Sequence, residues 1–453
     1  MDVALSATAL GGGAPVALTA SSAYREALDY LFVRTTGKWR LGLERMERLL
    51  DAIGRPHADL RAFHVGGTNG KGSVCATLDA LLRGRPEGWH VGVYSSPHLV
   101  DFRERIRIDG VPITEEAVVD WIARRAELVE RGHATFFEAT TAMAFEWFAE
   151  AGVDVAIIEV GLGGRLDATN VVRPLAAGIA SIGIDHVEYL GHTREAIAAE
   201  KAGIFKAGRS AVIGERDHTI AMLLARLAHD AGASPVRLVT EEYVTSDVRV
   251  GGSPSDGRGG TSFTLTGSTG TARLWTPLAG THQAANTALA LAMLDSAGAP
   301  YALPLGDAAA ALERVRLPGR FQRHGRYIFD VAHNPDGAAV LAETLRAVRP
   351  PGPVVALLTV LADKDWRGII DRLAPEVSHL VLTTAPTAPA GREWDPATAA
   401  HYVAERGWSA DVVLDFDAAL ARAAAEGATV LITGSFHTVG DAMARLQLSP
   451  LAG

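Results

Sequence analysis

The sequence predicts an α/β protein of two domains, the larger on a mainly parallel sheet that carries a small β insertion and the smaller on a second series of strands. Three observations predict this class. Short β-branched runs alternate with longer helical patterns, which is how βαβ units read in sequence. The length, 453 residues, exceeds the size at which a single hydrophobic core stops growing. Hydrophobic residues at 48% and charged residues at 21% are ordinary for a globular chain and exclude fibrous or disordered usage.

Taken in order, residues 1–20 are rich in Ala, Gly, Ser and Thr. Asp2 stands where a signal peptide would be basic, and Gly11 to Gly13 break the apolar run, so the segment reads as a disordered, frayed N-terminus. Candidate strands follow at 62–65, 90–94, 153–160 and 177–184, each ending in a polar loop. A parallel sheet of such strands is covered on both faces, and ligands bind where the loops leave its carboxyl edge. Residues 245–275 mix Gly, Ser and Thr into alternating segments such as Ser262-Phe263-Thr264-Leu265, which predicts the antiparallel insertion. After a helical run over 283–294, the breaker Leu317-Pro318-Gly319 sets the expected boundary between domains 21–316 and 317–453. Strands expected at 327–331, 354–360, 380–383, 412–415 and 429–433 then build a smaller Rossmann-like domain.

A net charge of -9 without a long Lys/Arg run argues against nucleic acid as a partner. Cys75, the only cysteine, excludes an intrachain disulfide and a thiolate zinc cluster and reads as a small buried helix residue. No stretch reaches the roughly 18 apolar residues of a membrane span. The expectation is a cytoplasmic monomer that does not contact a membrane.

The most informative stretch is His64-Val65-Gly66-Gly67-Thr68-Asn69-Gly70-Lys71-Gly72-Ser73-Val74, which follows a candidate strand and opens a helical pattern. Glycines let backbone N–H groups turn toward phosphate oxygens, and the helix N-terminus adds a favourable dipole. Gly67, Thr68, Asn69, Gly70, Lys71, Gly72 and Ser73 are therefore candidate phosphate contacts, with the Lys71 ammonium set to offset phosphate charge. The generic kinase or GTPase loop fits less well, because Gly72 separates Lys71 from Ser73. A lone Gly-Lys pair is as often a turn without a ligand.

Gly-Thr-Asn-Gly-Lys-Gly-Ser in this form resembles the nucleotide loop of the Mur-ligase superfamily. The phrases downstream resemble the folylpolyglutamate synthase/dihydrofolate synthase family, from about Leu41 to Gly440. They include Tyr94-Ser95-Ser96-Pro97-His98-Leu99, Leu278-Ala279-Gly280-Thr281-His282-Gln283-Ala284-Ala285-Asn286, Pro318-Gly319-Arg320-Phe321-Gln322 and Asp330-Val331-Ala332-His333-Asn334-Pro335. The resemblance implies a P-loop-type Mur-ligase ATPase domain followed by a glutamate-ligase domain. It also implies ATP, Mg²⁺ (two ions) and a lysine carbamate as cofactors.

Site roles follow from the resemblance residue by residue. Ser96, Glu159 and His186 match metal ligands; read alone, Ser-Ser-Pro is more often a turn and a lone histidine more often a core residue. A carboxylate closing a buried strand, as Glu159 does, is costly unless paired or metal-bound. Lys201 matches a carbamylated lysine, since an unmodified ammonium would be repelled by two magnesium ions. Asn286, Arg320 and Asp330 match nucleotide contacts, and Lys71, Lys201 and His333 are the expected catalytic groups. Thr135, Phe136, Phe137 and Glu138 with Leu166, Asp167 and Ala168 should contact the pterin, although two adjacent aromatics alone are more often core. Two positions depart from the family pattern: Val331 stands where Gly is usual, and His437 where an aromatic is usual.

A carboxylate is a poor acyl donor, so the expected reaction forms an acyl phosphate from ATP and then an amide with the amine of L-glutamate. The donor would be dihydropteroate, a reduced folate, or both. Two alternatives stay open: another Mur-type amino-acid ligase, and a non-catalytic nucleotide-binding scaffold.

Overall fold

Short apolar runs pair into an eight-stranded sheet from β1 (Ala62–Gly66), β2 (Val91–Tyr94), β3 (Ile106–Ile108), β4 (Val111–Pro112), β5 (Val155–Glu159), β6 (Ala176–Ile179), β7 (Ser210–Ile213) and β8 (Val236–Leu238). The computed structural model describes residues 21–35, 40–85, 87–251 and 259–451, so the expected frayed segment 1–20 lies outside the described residues. The order is β4-β3-β2-β5-β1-β6-β7-β8, parallel from β2 to β8, with β3 and β4 added antiparallel at one edge. Alternation along β5 shows why the run is apolar throughout. Val155 and Ile157 enter the core beneath one face, while Ala156 and Ile158 enter the core beneath the other.

One face is covered by the helices Lys71–Arg83 and His282–Ala297, which pack side by side, and the other by Glu115–Arg131 and Phe136–Glu150. Helix His282–Ala297 is apolar nearly all round because helix, sheet and insertion enclose it. Leu289, Met293 and Leu294 there are at most 1% exposed. Each such burial contributes about 1.5–3 kcal/mol. The predicted insertion is a three-stranded antiparallel sheet, β9 (Val244–Val250), β10 (Thr261–Gly267) and β11 (Gly270–Thr276), whose Phe263, Leu265 and Leu274 face the same core.

The third sheet comprises β12 (Gln322–His324), β13 (Tyr327–Phe329), β14 (Val354–Leu358), β15 (His379–Leu382), β16 (Ala410–Val412) and β17 (Thr429–Thr433) in the order β12-β13-β17-β14-β15-β16. All neighbours are parallel except β12 and β13.

Two expected strands end elsewhere. The strand placed at 177–184 stops at Ile179, because the Ser181 carbonyl accepts the Thr68 N–H and the Gly183 N–H donates to Thr68 Oγ1. The phosphate loop, not a neighbouring strand, captures that backbone. The strand placed at 412–415 is shifted to β16, since Asp415 instead caps helix Phe416–Glu426 through the Ala418 N–H. The β3–β4 hairpin, β7, β8 and β12 were not anticipated.

Two close contacts join the larger sheet's loops to the third sheet's layer. A Cβ on Gly440 would lie 2.0 Å from the Leu99 carbonyl oxygen, so helix Phe436–Arg445 rests directly on the loop that follows Ser96. A Cβ on Gly183 would lie 2.1 Å from Asp336 Oδ2.

Candidate active site

The carboxyl ends of β1, β2, β5 and β6 open into one cavity of about 1380 Å³, closed on its far side by residues from the third sheet's loops. Every residue singled out from sequence for ATP, metal, pterin or catalysis lines it.

The phosphate loop leaves β1 and enters helix Lys71–Arg83 through Gly70, whose φ of 89° favours glycine. A Cβ there would also meet Asn286 Oδ1 at 2.7 Å, which places Asn286 directly over the loop. Asn286 Nδ2 donates to Gln283 Oε1 at 3.0 Å, fixing which way its amide points. Lys71 Nζ donates to the Gly67 and Thr68 carbonyls at 3.1 and 3.2 Å, within the cradle. The Thr68 hydroxyl is occupied by Gly183, and the Ser73 residue is 3% exposed.

Glu159 closes β5 and is 5% exposed. Its Oε2 accepts the Ser96 N–H at 3.1 Å, so the two candidate metal ligands are adjacent. Burial pushes its carboxyl pKa up, against the opposing charges of Lys71, Arg320 and Arg105. Lys201, in the last turn of helix Arg194–Ala202, is 4% exposed; desolvation and the Lys71 charge push its pKa down to about 7.

His186 follows β6 and has its pKa lowered to about 3, chiefly by burial, so the ring is neutral. Beside it, Asp185 is the residue that sequence reasoning left without a role. Its Oδ1 accepts Lys364 Nζ at 2.5 Å and its Oδ2 accepts Asn334 Nδ2 at 3.1 Å, with His333 Nε2 at 3.5 Å. Asn334 also exchanges amide hydrogen bonds with Asn69 of the phosphate loop at 3.1 and 3.2 Å. A signal was present: an Asp-His pair after a strand and Asp363-Lys364-Asp365 after another. Their meeting is a tertiary fact that one sequence does not contain.

Asp330, expected as a nucleotide contact, follows β13 at the cavity wall. Both its oxygens accept backbone N–H groups, from Phe321 and Ala332 at 2.9 Å, and the His333 ring lies against the Val331 carbonyl at 2.8 Å. Arg320 lies beside Asp330 with its guanidinium 5.3 Å from the Phe436 ring centroid.

At the opposite end of the cavity, Thr135 and Glu138 form a capping box on helix Phe136–Glu150, and Glu138 pairs with Arg45 at 2.9 Å. Phe136 stacks on Phe32 at 5.4 Å, and Arg105 lies 5.2 Å from the Phe136 centroid. Phe137 is tilted against Tyr94 at 5.9 Å. Leu166, Asp167 and Ala168 form the loop facing these rings, and Asp167 is 4% exposed.

A phosphate loop, an adjacent buried carboxylate and a second α/β unit across the same cavity define a two-domain nucleotide-dependent ligase. Family comparison agrees with this class. Residues 65–294 match the Mur ligase middle domain and residues 319–436 the Mur ligase, glutamate ligase domain. The chain is 33% identical to the dihydrofolate synthase/folylpolyglutamate synthase of Bacillus subtilis, over 94% of this chain and all of that one (100%). Among solved structures it resembles the Escherichia coli enzyme in complex with DHPP and ADP, with a TM-score of 0.81 and 33% identity over 94% of this chain and 98% of that one. It also resembles a bifunctional folylpolyglutamate synthase/dihydrofolate synthase with Mn, AMPPNP and L-glutamate bound, with a TM-score of 0.79 and 34% identity over 95% and 99% of the two chains. The chain belongs to the dihydrofolate synthase/folylpolyglutamate synthase family, whose members are ATP-dependent ligases.

Proposed function

We propose that this enzyme joins the carboxylate of dihydropteroate, of a reduced folate, or of both to the amine of L-glutamate, at the cost of ATP. One observation carries the reading: a single cavity brings the Lys71 loop and Glu159 together with Arg320 and His333 from the third sheet, and ends at Phe136, Phe137 and Asp167. The DHPP, nucleotide and L-glutamate bound in the related structures support the same three substrates. The domains are 21–316, which binds ATP, and 317–453, and substrates meet between them.

In this reading Gly67, Thr68, Asn69, Gly70, Gly72 and Ser73 hold the phosphates through their backbone, while Lys71 offsets the charge on the transferring phosphoryl group. Asn286, Arg320 and Asp330 hold the rest of the nucleotide. The substrate carboxylate oxygen attacks the γ-phosphorus, the bond to the β,γ-bridging oxygen breaks, and ADP leaves. The glutamate amine then attacks the acyl carbon, phosphate departs with the electron pair of the broken C–O bond, and the amine loses a proton. His333, fixed by Val331 and Asp185, meets the incoming glutamate.

The residues present fit a divalent cation. Glu159 is buried with one backbone hydrogen bond and Ser96 adds oxygen beside it; His186 is neutral, and its Nε2 now lies 3.3 Å from Lys364 Nζ, which a cation would displace. When bound, Mg²⁺ draws charge from the phosphoryl oxygens; two ions are proposed, the second organised by a carbamate on Lys201. A buried lysine amine with a pKa near 7 is substantially neutral and nucleophilic toward CO₂, which favours that modification. Thr135, Phe136, Phe137, Glu138, Leu166, Asp167 and Ala168 surround the pterin, Glu138 acting through the cap and Arg45. The enzyme is proposed to work as a cytoplasmic monomer; no helix of the described residues is long and apolar enough to cross a membrane.

ADP release and product mass, measured with ATP, Mg²⁺, L-glutamate and either dihydropteroate or tetrahydrofolate, test the proposal. Turnover with both gives a bifunctional enzyme and turnover with one names the branch. ATP binding without turnover on either would return the scaffold or another Mur-type ligase to the front.

A further inference from the structure

Beneath the pterin end of the cavity a buried polar chain runs from Asp167 to two residues the reaction scheme does not use, Thr169 and His64. His64, in β1, is 0% exposed, as is Thr169, and Asp167 is 4% exposed. His64 Nε2 lies 2.9 Å from Thr169 Oγ1, and the Thr169 hydroxyl donates to Asp167 Oδ1 in a short hydrogen bond. Asp167 Oδ1 also accepts the Thr169 N–H at 3.0 Å, and Oδ2 accepts the Leu162 N–H at 2.8 Å. His64 Nδ1 is buried without a partner.

A hydroxyl carries one proton, so the direction of this chain is decided by its ends. With Asp167 ionised, Thr169 spends its proton on the carboxylate and must accept from His64, which is then the tautomer protonated at Nε2. The partnerless Nδ1 is in that case a bare lone pair. With the proton on Asp167 Oδ1 the chain reverses, His64 accepts at Nε2, and its N–H is stranded at the buried Nδ1; Oδ2 is itself already an acceptor, from the Leu162 N–H. An orphaned buried donor is the costlier arrangement, and such donors are rare in native structures. Burial lowers the His64 pKa to about 3, so the doubly protonated ring is not an alternative.

We propose that His64 is a positioning residue for the pterin substrate: acting through Thr169, it holds Asp167 as an acceptor-only carboxylate aimed at the N–H edge of the pterin ring. The inference rests on the reading that Asp167 meets that ring. His64 touches no substrate, and its effect reaches the cavity only by way of the Thr169 hydroxyl. Desolvation alone would favour the protonated acid at Asp167, which presents a donor where the substrate also offers one.

Steady-state kinetics of His64→Leu, His64→Gln, Thr169→Val and Asp167→Asn, with melting temperatures, test it. His64→Leu is expected to raise KM for the pterin substrate about tenfold while leaving KM for ATP within twofold. His64→Gln, whose amide N–H replaces the Nε2 donor, is expected to recover most of that loss. Thr169→Val breaks the chain from the other side and should reproduce the His64→Leu signature, which keeps the test open if the Leu variant does not fold. Equal losses for Leu and Gln, or a rise in the ATP KM as large as in the pterin KM, would overturn the proposal in favour of a packing role. A silent His64→Leu beside an impaired Asp167→Asn would sink the relay alone, whereas an Asp167→Asn variant with unchanged pterin KM would remove the reading on which it rests.

Discussion

Lys364 Nζ lies 2.5 Å from Asp185 Oδ1, joining a loop of the third sheet to the loop after β6, with both side chains 7% exposed. Breaking such a buried pair leaves one charge unpaired and costs about 3–5 kcal/mol. Lys364→Ala should therefore lower the melting temperature clearly and weaken turnover. Asp185→Asn, whose NH₂ would face a donor where a carboxylate oxygen now accepts and which leaves the Lys364 ammonium unpaired, should lose both activity and stability. Calorimetry beside initial rates separates the two, and an Ala variant as stable as the parent would show that the pair contributes nothing to the closed arrangement.

Gly70→Ala should impair nucleotide binding more than folding. Its φ of 89° costs an L residue about 1–2 kcal/mol, and the new methyl would lie 2.7 Å from Asn286 Oδ1. The expected result is a KM for ATP raised by about tenfold or more, with KM for glutamate little changed. A normal ATP KM would mean that Asn286 has room to withdraw and does not hold the nucleotide.

Glu159→Gln removes a buried carboxylate whose pKa burial has raised. Without metal the variant should be at least as stable as the parent, because no charge is desolvated. With ATP it should need a higher Mg²⁺ concentration for half-maximal activity, and chelation should abolish activity in both proteins. Superimposable Mg²⁺ titrations would exclude Glu159 as a ligand.

Lys201 supplies the pH prediction. Its folded pKa of about 7 lies below the ordinary lysine value of 10.5, so between those limits the unfolded chain holds a proton that the folded one lacks. In CO₂-free buffer its contribution to stability rises with pH across that window and is most unfavourable below pH 7, by up to roughly 5 kcal/mol. Lys201→Met should then be more stable than the parent at pH 6, with the advantage shrinking toward pH 10. Added bicarbonate should raise the parent's activity and leave the Met variant inactive; native mass spectrometry detecting no CO₂ adduct on a fully active parent would discard the carbamate.

What the sequence disclosed follows from what local chemistry encodes. β1 and helix Lys71–Arg83 were legible because an apolar run, a glycine loop and a helical period occur within twenty-odd residues of each other. The insertion was legible because its three strands alternate and pair with near neighbours. The end of β6 was not, since its backbone is taken by Thr68, more than a hundred residues away in the chain. For the same reason the candidate residues were named from phrases, while Asp185 and the His64–Thr169–Asp167 chain required folded neighbours to acquire meaning. β3 and β4 are too short, three and two residues, for any period to register.

The contact between Gly440 and the Leu99 carbonyl ties these threads together. Ser96 lies three residues before Leu99, and while Glu159 and Glu104 hold that segment from its own side, helix Phe436–Arg445 covers it from the other. In the proposed reaction that cover would keep water from the segment beside Ser96, and a substitution that lifts the helix would show itself as ATP hydrolysis without glutamate.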